Sequence, residues 1–231
     1  MEHRRVGRRE AIGMLGATGA ALAFGCARET PTSPATTTTT TTGSGTSSSS
    51  SCTVTPTETI GPYPSLVDLI RSDIRGGKSG TPVALTIAVV NVNNGCSPVA
   101  NANVEIWQCD AAGNYSEYGT QRAETYLRGI QTTNGNGEVT FTTIYPGWYQ
   151  GRATHIHVEV VLNGASVKVT QIAFPESVSA AVYGVGVYAS RGANPTSNAS
   201  DNVFSDGVAS ELAVVTGDPA NGYTATFRVG I

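Results

Sequence analysis

The chain has 231 residues, of which only 13% are charged, and a formal net charge of −3; that is length for one domain or at most two small ones. Beyond residue 51 it keeps nine basic and fourteen acidic side chains. This leaves neither the basic footprint of a nucleic-acid-binding surface nor the cationic cluster that would hold an anionic membrane.

Met1–Glu10 carries four arginines, and Ala11–Phe24 follows without a charge. This is the order of an export signal, a basic stretch and then an apolar one. The apolar run is shorter than the roughly 18 residues needed to span a bilayer. Arg8-Arg9-Glu10-Ala11-Ile12 resembles a twin-arginine signal. Gly25-Cys26 resembles a lipoprotein cleavage site, with Ala23 where Leu is usual. Residues 1–26 are therefore expected to be an export signal, with Cys26 either lipidated, as the one membrane contact, or, under an ordinary cleaved signal, lost or merely exposed. Residues 27–51 hold seven consecutive Thr and five consecutive Ser. Such a segment has no apolar area to bury, so it reads as a disordered linker.

From residue 52 onward the pattern is that of strands. Val, Thr, Ile and Tyr outnumber strong helix formers in the second half, and 27 glycines punctuate the chain. Val83–Val92 is β-branched, Val104–Cys109 alternates, and Glu138–Thr143 alternates after an Asn-Gly-Asn-Gly turn signal. His155–Leu162 and Val167–Phe174 are joined by Asn163-Gly164, a hairpin signal, and Thr224–Val229 closes the chain. The expected fold of residues 52–231 is an all-β sandwich with long loops and little helix. One short helix is expected near Ser65–Ser72, and mostly loop between about 175 and 218. Of the four cysteines, Cys96 and Cys109 flank a connection followed by a strand, so a bridge between them is one expectation. Export permits disulfides, and the spacing leaves the pairing among Cys52, Cys96 and Cys109 open.

The densest chemical signal is Pro146-Gly147-Trp148-Tyr149-Gln150-Gly151-Arg152-Ala153-Thr154-His155-Ile156-His157. Apart from His3, the protein's histidines are His155 and His157. Residues i and i+2 of a strand point to the same face, so the two imidazoles can aim at one point. A half-buried polar pair would have the same spacing. No Cys, Asp or Glu stands at zinc-enzyme spacing beside them. Tyr149, Arg152 and Tyr115 lie nearby in the chain, and phenolates are the available anionic donors, which favours a trivalent iron.

At these residues the chain resembles the intradiol ring-cleavage dioxygenases, the family of protocatechuate 3,4-dioxygenase and the catechol dioxygenases. The resemblance begins at Thr59-Ile60-Gly61-Pro62-Tyr63 and passes through Arg71-Ser72-Asp73-Ile74, Val104-Glu105-Ile106-Trp107-Gln108 and Gly113-Asn114-Tyr115. It continues through Gly137–Phe141, Pro146–Tyr149 and Arg152–His157, and ends near Thr170–Phe174. It implies a non-haem Fe(3+) held by Tyr115, Tyr149, His155 and His157. Tyr118 and Tyr126 are neighbours of Tyr115, but only Tyr115 has the motif position. The resemblance also implies catalytic roles for Arg152, Tyr149 and Gln171: Tyr149 leaves the metal and takes a proton, Arg152 stabilises charge on the substrate, and Gln171 orients it. The implied reaction is cleavage of a catechol-type aromatic diol by O2, between its two hydroxyl-bearing carbons, to a cis,cis-muconate-type diacid. A signal and linker stand where the cytoplasmic members have a helical dimerisation region, so the closer likeness is to secreted, single-polypeptide members. Two other readings use the same residues: a copper or zinc protein built on His155 and His157, and a non-catalytic surface-binding module. Colour and metal content separate the first from an iron–tyrosinate protein. A binding module has no need of all six site residues.

Overall fold

The computed structural model describes residues 52–231. The expected export signal, the lipidation position Cys26 and the linker lie outside the described residues. The described chain forms nine strands: β1 (Pro82–Asn91), β2 (Ser97–Pro98), β3 (Asn103–Trp107), β4 (Arg128–Thr132), β5 (Glu138–Ile144), β6 (His155–Leu162), β7 (Ala165–Ala173), β8 (Val214–Asp218) and β9 (Gly222–Gly230). Its α-helix, α1, spans Glu176–Tyr183.

Two sheets form a sandwich. In one, β1 pairs in parallel with β9, antiparallel with β5 along its first part and antiparallel with β2 at its end, while β8 flanks β9. The other has the order β4-β3-β6-β7, antiparallel throughout. Alternation decides what lies between the sheets. Val83, Leu85, Ile87 and Val89 of β1 and Tyr223, Ala225, Phe227 and Val229 of β9 face inward. They meet Val104, Ile106, Ile156, Val158 and Val160 of the second sheet in one buried cluster. Each such side chain contributes about 1.5–3 kcal/mol by leaving water.

The same alternation sends Trp107, His155, His157 and Gln171 to the opposite face of the second sheet. Trp107 pairs with His157 across β3 and β6, and His157 with Gln171 across β6 and β7, so the three share one row. Residues 59–65 and the loops after β3 and β5 cover this face and make it an interior of its own.

Several expectations are corrected. No helix forms near Ser65–Ser72: the chain there runs along the edge of β4, with Ile130 N donating to Leu69 O at 2.7 Å and Arg71 N to Ile130 O at 3.2 Å. Pairing with a sheet edge, and capture of Leu66 N by Glu117 Oε2 at 2.7 Å, satisfy the backbone that a helix would otherwise have satisfied. The stretch 175–218 is mostly loop, as expected, with α1 at its start and β8 at its end. Helix α1 buries Ser179, Val182 and Tyr183, an i, i+3, i+4 face.

Cys96 does not bridge Cys109. It pairs with Cys52, and Cys109 is free and buried. Cys109 packs with Trp107 and Tyr115 under the second sheet's outer face, whereas Cys96 lies in the turn after β1, in the other sheet. Burial pushes the Cys109 thiol up to about 12, which leaves it unreactive. The bridge closes a separation of 44 residues. Replacing Cys52 and Cys96 by Ser is expected to lower stability by about 2–4 kcal/mol, read as a lower midpoint in a denaturant titration.

Candidate active site

Three loop segments converge on the row of Trp107, His157 and Gln171. The first follows β3. There Asp110 Oδ1 accepts from the backbone N–H groups of Ala112 and Asn114, at 3.0 and 2.9 Å, and closes a tight turn that delivers Tyr115. The second follows β5 and carries Tyr149. The two turns touch backbone to backbone through a pair of glycines. A Cβ on Gly113 would strike Trp148 O, and one on Gly147 would strike the carbonyl oxygens of Asp110 and Ala111. Any side chain at either position would push the two tyrosines apart. The third is the segment before β1. Gly61, with φ of +76°, lies over His157, and a Cβ there would sit 2.8 Å from His157 Cε1.

The structure brings all the expected metal ligands together. His155 Nε2 lies 3.2 Å from His157 Nε2 and 3.5 Å from Tyr115 Oη. The Tyr149 ring lies 5.7 Å from that of Tyr115 and 5.5 Å from that of His155, both edge-on. His155 Nδ1 is 2.6 Å from Ala153 O. That contact requires the proton on Nδ1 and turns the Nε2 lone pair toward His157. His157 stacks on Trp107, with centroids 4.9 Å apart and planes 2° apart. Its Nδ1 is buried without a partner.

Burial, and then the Arg152 charge, hold His155 down at about 3. Burial and the His155 ring hold His157 well below the usual histidine range. Both rings are neutral and can act as ligands. Burial raises the Tyr115 phenol well above its ordinary value, and raises Tyr149 as well. Two imidazole nitrogens and a phenol oxygen thus converge at hydrogen-bond range, with a second phenol beside them. This nitrogen and oxygen donor set fits a hard or borderline cation such as Fe(3+). A cation there would offset the burial cost of ionising the phenols.

Arg152 and Gln171 border the donors. Arg152 Nε donates to both oxygens of Asp201, at 3.0 and 2.9 Å. Its Nη1 reaches Tyr149 Oη at 3.4 Å and its Nη2 reaches Gln171 Oε1 at 2.5 Å. Gln171 Nε2 donates to Thr59 O at 3.0 Å, which leaves Oε1 for the arginine. Asp201 also accepts from Ala153 N and Val203 N, at 2.6 and 2.8 Å. Tyr118 and Tyr126 lie outside the donor cluster: Tyr118 Oη donates to Pro64 O, and Tyr126 packs with Leu127 and Ile144.

Reading the chain for motifs misses three members of this site. Tyr63 stacks on Tyr115 at 4.6 Å and meets Tyr149 edge-on at 6.0 Å. Asp201 fixes Arg152 from 49 positions away. Trp107 supplies the floor under His157. Tyr63 and Trp107 lie inside the stretches that carry the resemblance; Asp201 lies in none.

Comparison with known proteins identifies the family. A family model described as Dioxygenase matches residues 61–182. An intradiol ring-cleavage dioxygenase from Tetranychus urticae is 32% identical over 78% of this chain and 95% of its own, with a TM-score of 0.69. The dioxygenase domain of a dioxygenase–carbohydrate-binding protein fusion from the cellulolytic bacterium Streptomyces sp. SirexAA-E is 28% identical over 78% of this chain and 98% of its own, with a TM-score of 0.60. A 3-chlorocatechol 1,2-dioxygenase from Rhodococcus opacus 1CP shares the fold at 22% identity and a TM-score of 0.56, over 76% of this chain and 71% of its own. Comparison with curated proteins finds no match. The chain belongs to the intradiol ring-cleavage dioxygenase family, enzymes that are oxidoreductases acting with O2 on catechol-type substrates.

Proposed function

We propose that this enzyme holds one Fe(3+) through Tyr115, Tyr149, His155 and His157. With it, a catechol or simply substituted catechol is cleaved between the two hydroxyl-bearing carbons to a cis,cis-muconate-type diacid. The observation that carries the reading is that His157 Nε2 and Tyr115 Oη both lie within 3.5 Å of His155 Nε2, with the Tyr149 ring alongside. Iron bound there would supply the Lewis acidity that draws in both catechol oxygens and the unpaired electrons that let O2 react with the ring.

The chain's own residues do the rest. Tyr149 is the more accessible of the two phenols and touches Arg152. As a phenolate it is the group placed to take a proton from an arriving catechol hydroxyl, as a general base must be within reach of its proton. Tyr115 is enclosed by Trp107, Cys109 and Tyr63 and keeps its place. Arg152 brings a planar guanidinium to the edge of the donor set. Asp201 holds it, so its charge faces the site without needing to reorganise as negative charge develops on the substrate. Gln171, anchored on Thr59 O, lines the same edge and orients the ring.

Export belongs to the same proposal. It is supported by the Arg8-Arg9 pair and apolar run ahead of Cys26, and by a disulfide suited to an oxidising compartment.

Two measurements test the chemistry. As-purified protein is expected to hold about one iron per chain and to be red-brown from tyrosinate-to-iron charge transfer. Tyr115→Phe or His157→Ala should lose both iron and colour, and full retention in both variants would remove these ligands from the assignment. A panel of catechols incubated under ¹⁸O2 should give diacids carrying both atoms of O2. A yellow semialdehyde would instead show cleavage beside the diol. No oxygen uptake by iron-loaded protein would overturn the reading.

A further inference from the structure

Glu58, Asp206 and Glu211 take no part in the chemistry above. One carboxylate oxygen of each lies within 4.8 Å of those of the other two. Glu211 is fully buried. Its Oε1 accepts from Thr170 Oγ1 at 3.1 Å, but its Oε2 is enclosed with no hydrogen-bond partner. A buried carboxylate oxygen without a partner is costly, and native proteins rarely leave one. The charges nearest to it, Glu58 and Asp206, have its own sign. Among the described residues no Lys or Arg forms an ion pair with any of the three. Arg152, whose charge reaches Glu58, is committed to Asp201.

We propose that Glu58, Asp206 and Glu211 form a Ca²⁺ site, separate from the tyrosine–histidine centre, that clips the segment before β1 and the loop before β8 onto β7. The donors are all hard oxygens, the preference of Ca²⁺ rather than of the softer transition metals. Glu211 supplies the buried, unpartnered oxygen. Glu58 is half-buried and Asp206 exposed, so an ion can enter from that side and complete its shell of six to eight oxygens with water. Mg²⁺, which demands a near-ideal octahedron and dehydrates reluctantly, suits this set less well. Burial and the facing Glu58 and Asp206 carboxylates raise the Glu211 carboxyl to about 7, so a bound cation relieves a repulsion already present.

The clip sits where two segments meet β7. Glu58 N donates to Val169 O at 2.9 Å, and the next residue, Thr59, offers the carbonyl that holds Gln171. On the other side Ala173 N donates to Glu211 O and Ala213 N to Ala173 O, at 2.8 and 2.9 Å. The loop from Asp201 to Glu211 also carries the carboxylate that fixes Arg152. A cation at the cluster would therefore steady both supports of the Arg152–Gln171 pair.

The test uses the full-length chain after treatment with EGTA. Isothermal titration with CaCl2 should give one site per chain. At about 100 times the dissociation constant the melting temperature should rise by roughly 5–10 °C, and less with MgCl2 at the same concentration. Asp206→Asn, a change at an exposed position, should weaken Ca²⁺ binding and cut the shift to less than half. Glu211→Gln should melt higher than wild type without cation, because the buried charge is gone, and should lose the Ca²⁺ response. None of these readouts involves iron or turnover. Absence of bound Ca²⁺ and of any shift in folded wild-type protein would overturn the proposal, as would an undiminished shift in both variants.

Discussion

Arg152→Ala is expected to keep iron, colour and catechol binding while turnover falls by about 10²–10³, the usual loss when one preorganised electrostatic donor is removed from a site. The split follows from geometry. None of the converging donor atoms belongs to Arg152; its contacts are with Tyr149 Oη, Gln171 Oε1 and Asp201. Its removal should therefore act on the barrier far more than on metal affinity. Asp201→Asn should show a smaller loss in the same direction, because the guanidinium stays but its anchor weakens from an ion pair to a neutral acceptor. Rate and substrate affinity measured separately by stopped-flow check both. Near-normal turnover in Arg152→Ala would take the arginine out of the mechanism.

How much of this was legible in the chain depends on how local each cause is. Strands β1, β5 and β9 announce themselves because one face meets the core and alternation follows directly. The β6–β7 hairpin is written in Asn163-Gly164, which adopt φ of +52° and +78° as a tight turn of that kind requires. The His155–His157 pair was legible because strand period alone sets both on one face. Strand β4 was not. Its sequence RGIQT lacks alternation: Gly129 stands where a Cβ would come within 2.6 Å of Ile74 Cγ2, and Arg128 is buried by partners far away in the chain. Helix α1 starts at Pro175 with no side-chain cap, so the usual helix-start signal is missing. The helix expected near Ser65–Ser72 failed for the converse reason: local pattern allowed it, but Glu117 and the edge of β4 took its backbone groups. Asp201 and the Cys52–Cys96 pairing depend on partners 49 and 44 positions away, a distance over which spacing carries no information.

The largest expected effect on stability comes from Arg128, a residue outside the donor set. It is fully buried, and its guanidinium ties together the two segments that carry Tyr63 and Tyr115. Nε donates to Ser116 Oγ at 2.9 Å and Nη2 to Ser116 O at 2.7 Å, while Nη1 reaches Tyr63 O at 3.0 Å and Ser65 Oγ at 3.4 Å. Glu117 Oε2 lies 3.4 Å from Nε and also receives Leu66 N. Arg128→Met keeps much of the length but strips every donor. It leaves the Glu117 carboxylate buried without its counter-charge, and the carbonyl groups of Tyr63 and Ser116 lose their partner. Removing one member of a buried pair costs about 3–5 kcal/mol, a large part of a total stability of about 5–15 kcal/mol. At about 2–4 °C per kcal/mol for a domain of this size, the melting temperature should fall by roughly 6–20 °C. Pairing the change with Glu117→Gln should restore part of the loss, because the stranded charge goes with it. Arg128→Lys should restore little, since one ammonium cannot span the four acceptors that the planar fork reaches. If Arg128→Met melted within 2 °C of wild type, the buried pair would not be what holds the Tyr63 and Tyr115 segments together.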